Sequence, residues 1–332
     1  MSAERIGPRL TLMQQISRNP DLKGRSLAIT VRTPSGNLMR AADAVEGLPH
    51  LIAAGILIEI RTPAGNILHA SALAGKTPEQ IDALAVKIDD LLAIDKLRKT
   101  ESVKLADQMG IKRVTISEGE FTFQGVSGVR HNGFKITETE FTNGQFRALL
   151  ERKPEELAKI VGNPKERLEY SLSAVDPDYK HEAEDCPMVG LSQVQYTGIA
   201  KLLGLRLLTE LEWERAAAGQ KGRVFSFGDK FDKNKATFNG KGTRSVNAHR
   251  DAATPEGVLD LSGNVYEWTS STWGDIDLSD PKNPRLPQSG EYGVLRGGSW
   301  IYSNPVNLRA SSRDNGHPEN QDYNVGVRFA ED

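Results

Sequence analysis

Cysteine is nearly absent from this chain, since Cys186 is the one cysteine among 332 residues. A single thiol excludes an intramolecular disulfide and any metal or redox site built from several cysteines. Cys186 stands just before Pro187 and Met188, and free cysteine usually packs as a small hydrophobic residue. We therefore predict a buried, unreactive thiol at the edge of a core.

The chain also lacks an excess of either charge: 42 basic and 44 acidic residues leave a net charge of −2. This balance provides no basic surface for nucleic acid. The longest apolar run, residues 51–58, is too short to span a bilayer, and the first residues lack the apolar segment of a signal peptide. We expect a soluble protein without a membrane span, either cytoplasmic or carried by a phage.

An internal repeat occupies the first third of the chain. Residues 29–41 return 29 positions later as residues 58–70, and each copy contains a β-branched strand, a Pro-x-Gly-Asn turn and a second strand. This pattern is typical of a β-hairpin, so two copies predict a sheet of about four strands. From Thr77 to Ile94, apolar residues at helical spacing predict an amphipathic helix. The helix either packs on the sheet or pairs with a copy of itself.

Residues 1–105 therefore form a small α+β module, which we expect to dock to another protein or to self-associate. Residues 106–332 form a second domain, with strands predicted at 113–116 and 119–123 and a hairpin turn at His131-Asn132-Gly133. Thr209 and Glu212 form a capping box at the start of a helix. Residues 151–185 are predicted as a charged loop. After Gly219 helical periodicity disappears, and long irregular loops in a compact domain usually bind a partner or a cation.

Five motifs follow one another in the second domain. They are Glu138-x-Glu140-Phe141-Thr142-Asn143, Leu207-x-Thr209-Glu210-x-Glu212-Trp213, Asp260-Leu261-Ser262-Gly263-Asn264-Val265-Tyr266-Glu267-Trp268, Arg296-Gly297-Gly298-Ser299-Trp300 and Gly326-Val327-Arg328-Phe329. Their order resembles that of formylglycine-generating (sulfatase-modifying) enzymes, over about residues 113–330. The resemblance implies an α+β, C-type-lectin-like fold with little regular structure, whose last segment forms an exposed face.

Enzymes of that family use two cysteines, two and seven positions after the tryptophan of Gly-Gly-Ser-Trp, as copper ligands and redox thiols. Tyr302 and Asn307 occupy those positions here. A phenol and an amide cannot replace thiolates that bind a soft metal. The resemblance therefore predicts a protein that is not an enzyme of this type. The alternative is a catalytically altered or inactive member of the family.

The end of the chain also resembles the variable proteins of diversity-generating retroelements. In those systems an error-prone reverse transcriptase alters adenines, so that AAC codons for asparagine become codons for other residues. The tract keeps asparagine at 304, 307, 315, 320 and 324, and many of its other residues can be reached from AAC by changing adenines alone. The resemblance implies a C-terminal variable region at about residues 296–329.

The predicted function is non-covalent binding, without turnover, of an unknown protein or other macromolecular ligand. Tyrosine, serine, asparagine and glycine suit such a surface, because they combine rigid contact area with adaptable hydrogen bonding. The predicted contact residues are Tyr302, Ser303, Val306, Ser311, Ser312, Asp314, Asn315, Gly316, His317, Asp322 and Tyr323. Arg296, Arg309, Arg313 and Arg328 are expected to hold the loops rather than bind an anion.

A cation site is implied by the same family resemblance. Asp260, Gly263, Val265 and Glu267 match positions at which the related enzymes bind calcium through carboxylate and carbonyl oxygens. Calcium prefers oxygen ligands of this kind. The alternative is a loop held by hydrogen bonds alone. No cofactor is required for the predicted binding activity.

Overall fold

The computed structural model describes residues 28–32, 38–40, 57–61, 67–69 and 100–331. The chain divides into two compact units, Met1–Arg98 and Lys99–Asp332. The amphipathic helix predicted between Thr77 and Ile94 lies outside the described residues. Within the described part, no helix is long and apolar enough to cross a membrane.

The first unit contains a four-stranded antiparallel sheet. Its strands are β1 (Ala28–Arg32), β2 (Leu38–Arg40), β3 (Leu57–Arg61) and β4 (Ile67–His69), in the order β2-β1-β3-β4. Thr30 of β1 pairs with Glu59 of β3, its counterpart in the sequence repeat. The two hairpins are therefore related by a pseudo-twofold axis between these residues. The predicted pair of repeated hairpins is confirmed.

The second unit contains three further sheets. Its strands are β5 (Arg113–Ile116), β6 (Gly119–Phe123), β7 (Val126–His131), β8 (Phe134–Thr137), β9 (Arg206–Leu207), β10 (Tyr266–Thr272), β11 (Gly293–Arg296), β12 (Arg313–Gly316), β13 (Val325–Gly326) and β14 (Phe329–Glu331). The sheet orders are β5-β8-β14-β9, β12-β11-β10-β13 and β6-β7. Strand β12 lies at an edge of its sheet, within the predicted variable region.

The strand predictions at 113–116 and 119–123 are confirmed, but the hairpin predicted at His131-Asn132-Gly133 is wrong. Strands β7 and β8 flank that turn without pairing with each other: β7 pairs with β6, whereas β8 pairs with β5 and β14. The hairpin turn lies instead between β6 and β7, at Gln124 and Gly125, whose φ angles are 49° and 79°. Two positive φ angles match the twist of a tight hairpin.

Five α-helices lie in the described part of the second unit after residue 140. They are α1 (Asn143–Arg152), α2 (Pro154–Val161), α3 (Pro164–Ser173), α4 (Gln193–Leu202) and α5 (Glu210–Ala218). Helix α5 begins with the predicted capping box, in which Thr209 accepts from the backbone N–H of Glu212 and the Glu212 side chain accepts from that of Thr209. The predicted charged loop at 151–185 is wrong, because α2, α3 and a 3-10 segment (Pro177–Asp185) occupy it.

The largest apolar cluster joins the helices to the sheets, and it includes Phe146 of α1, Tyr196 of α4, Trp268 of β10 and Phe329 of β14. Cys186 is fully buried, and its thiol lies 3.8 Å from the Thr243 carbonyl. Burial raises the pKa of the Cys186 thiol to about 12. The thiol therefore stays protonated at neutral pH, and the prediction of a buried cysteine is confirmed.

Candidate ligand-binding surface

The predicted contact residues lie on the segment that runs from the end of β11, through a 3-10 turn (Pro305–Leu308) and β12, to the start of β13. Ser303, Val306, Ser311, Asn315, His317, Asp322 and Tyr323 are exposed, and Tyr302, Ser312 and Asp314 are half-buried. Gly316 departs from the expectation, because it is buried. A Cβ atom at Gly316 would lie 2.8 Å from Cη2 of the buried Trp268 ring.

Aromatic side chains connect the two ends of this segment. The ring of Tyr302 packs edge-on against Tyr266, with 5.7 Å between the centroids, and the Tyr266 hydroxyl donates to Asp314 at 2.9 Å. Burial raises the pKa of Tyr266, which keeps its hydroxyl protonated as a donor. The half-buried Trp300 lies beside Tyr323, with ring centroids 5.8 Å apart.

The large apolar side chains that are exposed on the described part of the second unit lie on this segment or beside it. They are Tyr170, Val194, Tyr292, Ile301, Val306 and Tyr323, with exposed fractions from 39% to 56%. Ile301, Val306 and Tyr323 belong to the predicted variable region. The other three come from outside it, and sequence reasoning missed them.

Contacts of Tyr292 and Tyr170, and of the residue before Val194, place these three residues at the border. The Tyr292 ring lies edge-on to the His317 ring, with centroids 6.3 Å apart. The Tyr170 hydroxyl is 3.5 Å from the Gln321 carbonyl. The backbone N–H beside Val194, that of Gln193, donates to the Pro318 carbonyl at 3.0 Å. Exposed apolar side chains on α3, α4 and the segment before β11 therefore lie beside the predicted variable region.

Arg296 connects the middle of the predicted variable region to the core beneath it. Its side chain is fully buried, forms an ion pair with Glu214 of α5, and donates to the Ala310 carbonyl at 2.8 Å. Gln124 of the β6–β7 turn donates to the same Glu214 carboxylate at 2.6 and 2.7 Å, and to the Ser311 carbonyl at 2.9 Å. A buried network thus fixes the backbone while the Ser311 side chain stays exposed.

Arg313 and Arg328 are also structural, but Arg309 is different. Arg313 makes a two-bond ion pair with Glu210 at 2.7 and 3.0 Å. Arg328 makes the same kind of pair with Glu267 at 2.7 and 2.8 Å. The exposed Arg309 side chain forms no hydrogen bond or ion pair with the residues that the structure describes.

Gly298 needs a glycine for two reasons. Its φ angle is 72°, which side chains other than glycine rarely adopt. A Cβ atom there would also lie 2.6 Å from the Asn307 carbonyl oxygen. Gly298 of the Gly-Gly-Ser-Trp motif therefore allows the backbone after β11 to approach the backbone of the 3-10 turn closely.

The adjacent residues Asn315 and Gly316 provide a test of which positions tolerate change. We expect Asn315→Ser to change the free energy of unfolding by less than about 0.5 kcal/mol, since the side chain is exposed. Gly316→Ser should cost roughly 1–3 kcal/mol, because the added atoms meet the rigid Trp268 ring. Chemical denaturation of both variants measures the difference. Equal stabilities would show that Gly316 belongs to the tolerant surface.

Four residues have the implied calcium role: Asp260, Gly263, Val265 and Glu267. Asp260 and Glu267 belong to a buried charged cluster together with Glu140 and Arg328. Both carboxylate oxygens of Glu267 accept from Arg328, and one also accepts from the Trp213 indole N–H at 2.7 Å. Glu140, which is also buried, has no hydrogen-bond partner for either oxygen in the described structure, and neither does Oδ2 of Asp260. Among the described residues, no group of three or more His, Cys, Asp or Glu side chains is arranged to hold a metal ion.

This cluster predicts a pH dependence of stability. Burial raises the pKa of Asp260 from 3.8 to about 7, and burial followed by repulsion from Asp260 raises the pKa of Glu140. A carboxyl group whose pKa is raised on folding binds its proton more tightly in the folded state. Its stabilising contribution is complete at low pH and is lost as the pH rises from about 4 through 7.

We expect the melting temperature of the wild type to fall between pH 5 and pH 8, and Asp260→Asn to reduce that fall. Asparagine also tolerates the φ angle of 54° at this position. Asp251→Asn, at an exposed position, is the control. The same pH series with added Ca²⁺ tests whether calcium binds. We expect no rise in the melting temperature, because Arg328 and Trp213 already donate hydrogen bonds to the Glu267 carboxylate oxygens. Parallel curves for the wild type and Asp260→Asn would contradict the prediction.

These features define a class of protein: an α+β domain in which short sheets and buried arginine ion pairs carry an irregular, exposed C-terminal tract. Residues 99–332 match the Sulfatase-modifying factor enzyme 1-like domain, and the chain belongs to this family. Its second unit has the C-type-lectin-like fold of the formylglycine-generating-enzyme type, as predicted.

The relatives that are similar in sequence carry different names. A Chlamydia pneumoniae protein, "Serine/threonine-protein kinase pkn1", is 31% identical over 239 residues, which are 65% of this chain and 37% of that protein. The "Inactive C-alpha-formylglycine-generating enzyme 2" of Mus musculus is 32% identical over 166 residues, 45% of this chain and 50% of its own. The chain thus spans half or less of the length of these relatives.

A solved structure shares the fold. "Treponema denticola variable protein 1" aligns with 66% of this chain and 94% of its own, with a TM-score of 0.51 and 20% identity. At this level of identity the likeness concerns the fold alone.

Proposed function

We propose that this protein is a variable protein of the diversity-generating retroelement type, which binds an unknown protein or other macromolecular ligand without covalent chemistry. The observation that carries the proposal is the separation of roles along residues 296–329. Arg296, Arg313 and Arg328 are tied to buried carboxylates, while seven of the eleven predicted contact residues have exposed side chains. Exposed positions can change at little cost to folding, so the backbone keeps its shape while the contacts vary.

The composition of the exposed surface supports binding. Tyr170, Tyr292 and Tyr323 are each exposed by 40% or more. Tyrosine is enriched among residues that dominate binding energy, since it buries a large ring with little loss of conformational entropy. Ser303 and Asn315 supply adaptable hydrogen-bonding groups beside these rings. Such a surface suits a macromolecular partner better than a small substrate.

The positions of the family's catalytic thiols support a role without turnover. Tyr302 packs against Tyr266, and Asn307 lies in the 3-10 turn. The chain's one cysteine, Cys186, is buried with a raised pKa. Neither position supplies a thiolate for copper. Copper-dependent oxidation of a cysteine-containing peptide by the purified protein would contradict the proposal and favour a catalytically altered enzyme.

The coding locus provides the decisive test. We expect a near-identical copy of the segment encoding residues 296–329 nearby, with its differences at adenines, together with a gene for a reverse transcriptase. We expect those differences to fall at codons of exposed residues such as Ser303 and Tyr323 and to spare the codons of Gly298 and Arg296. A locus without the copy and without the reverse transcriptase would exclude this function.

The N-terminal module has a separate role in this proposal, which is docking or self-association. Self-association through this module would let an assembly of several chains present several copies of the variable surface, and linked copies bind more tightly than single ones. Light scattering of the full chain across a concentration series measures whether it associates.

A further inference from the structure

A cleft of about 550 Å³ opens beside the 3-10 turn of the variable region. Val306 and Arg309 of that region form part of its lining. Arg223, Phe225 and Phe231, from the segment that follows α5, form another part. The cleft therefore combines residues of the variable region with residues outside it.

Arg223 forms no ion pair with any residue that the structure describes. Its Nη2 atom donates to the Ala217 carbonyl at 3.1 Å, and its buried Nε has no hydrogen-bond partner in the described structure. Burial lowers the pKa of Arg223, and the main opposing influence is Glu256, which is already paired with Arg215 at 3.1 Å. A half-buried guanidinium that is not paired directly with a carboxylate is costly unless a ligand supplies the partner.

The other charged groups of the cleft favour an anion. Arg309 is exposed and has no partner among the described side chains. Glu214 is neutralised by its ion pair with Arg296. Asp229 is the remaining carboxylate, and it accepts from the Val224 N–H at 3.2 Å. Two guanidinium groups thus face one carboxylate, which leaves a net positive charge.

The cleft also offers apolar contact area. Phe231 is half-buried and packs against Phe225 and Phe238, with ring centroids 5.3 and 4.8 Å apart. Val306 is 40% exposed. A ligand with an apolar body can cover both side chains and gain the free energy of removing them from water.

We propose that this cleft binds an organic anion, whose charged oxygens pair with Arg223 and whose apolar body contacts Phe231 and Val306. The inference does not rest on the function proposed above: the charge of Arg223 and the ring of Phe231 carry it, and both lie outside the variable region, whereas Val306 adds apolar contact from within that region. Charge-assisted hydrogen bonds from a guanidinium would supply much of the selectivity for the anion.

Two dyes with the same aromatic body test the proposal on the full chain. 8-Anilinonaphthalene-1-sulfonate carries a sulfonate, and N-phenyl-1-naphthylamine lacks it. We expect Arg223→Gln to weaken binding of the sulfonate dye about tenfold and to leave binding of the neutral dye unchanged. Arg223→Lys should retain part of the affinity, since it keeps the charge. Fluorescence titration gives both dissociation constants.

Three further variants complete the design. Arg130→Gln, exposed on β7, and Tyr323→Ser, on the proposed ligand surface, should leave binding of the sulfonate dye unchanged. Val306→Asp adds a negative charge to the cleft and should weaken that binding. Because Val306 also belongs to the variable region, the comparison of Val306→Asp with an unchanged Tyr323→Ser decides the question if Arg223→Gln does not fold by near-ultraviolet circular dichroism. Absence of sulfonate-dye binding to the wild type, or equal affinities for Arg223→Gln and Arg130→Gln, would overturn the proposal. A loss confined to Tyr323→Ser would instead place the dye on the variable surface, which also overturns it.

Discussion

Replacing Arg328 by methionine is expected to lower the free energy of unfolding by about 3–5 kcal/mol. Arg328 is fully buried, pairs with Glu267, and donates to the Leu259 carbonyl at 2.8 Å. Its removal leaves Glu267 buried without its counter-charge, near Glu140 and Asp260, which already repel one another. Breaking a buried pair costs far more than the pair itself contributes, because the remaining charge has no water around it.

Denaturation by urea at neutral pH measures this loss, and the exposed Arg152→Met provides the control, with a change below about 0.5 kcal/mol. The double variant Arg328→Met with Glu267→Gln should be more stable than the sum of the single changes predicts, since it removes both charges. If Arg328→Met and Arg152→Met unfold at the same urea concentration, the buried cluster does not hold the fold.

Replacing Arg296 by methionine is the second change with a large expected effect, again about 3–5 kcal/mol. Glu214 would be left buried, with Gln124 as its remaining partner, and the Ala310 carbonyl would lose its donor. The damage should concentrate in the variable region, because Arg296 connects that segment to α5. Hydrogen exchange should then show the greatest loss of protection across residues 304–316.

Arg309→Met is a close control for Arg296→Met, since it makes the same replacement in the same segment. The Arg309 side chain is exposed and has no partner in the described structure. The free energy of unfolding of Arg309→Met should therefore stay within about 0.5 kcal/mol of the wild-type value. Uniform loss of protection throughout the second unit in Arg296→Met would mean that Arg296 stabilises the domain as a whole rather than residues 304–316.

These predictions distinguish two kinds of residue within residues 296–329: those whose side chains are exposed and those whose side chains or backbone make structural contacts. Ser311 has an exposed side chain, while its carbonyl accepts from Gln124. Asn315 is exposed, while the next residue, Gly316, is packed under Trp268. A side chain of this segment can be replaced at little cost to folding only where the backbone, and not the side chain, makes the structural contact.

Local patterns accounted for much of the secondary structure. The strands at 113–116 and 119–123 and the capping box at Thr209 depend on residues close together in the chain, and they were predicted correctly. Helices α2 and α3 were missed, although Pro154 and Pro164 at their first positions are helix-start signals and apolar Leu157, Ile160 and Val161 recur at helical spacing in α2. The Asn132-Gly133 pair suggested a hairpin, but the strands on either side found partners elsewhere in the sheets.

For the candidate surface, too, some features could be predicted from the sequence and others depended on the tertiary structure. Sequence by itself determined the family motifs, the missing thiols at Tyr302 and Asn307, and the tract in which the exposed residues lie. Tertiary structure decided which arginines hold that tract, because Glu214 and Glu267 lie far from Arg296 and Arg328 in the chain, and Arg309 looks the same in sequence but has no such partner. It also decided that Tyr170, Val194 and Tyr292 border the surface, since side chains from distant segments become neighbours only when the sheets and helices pack.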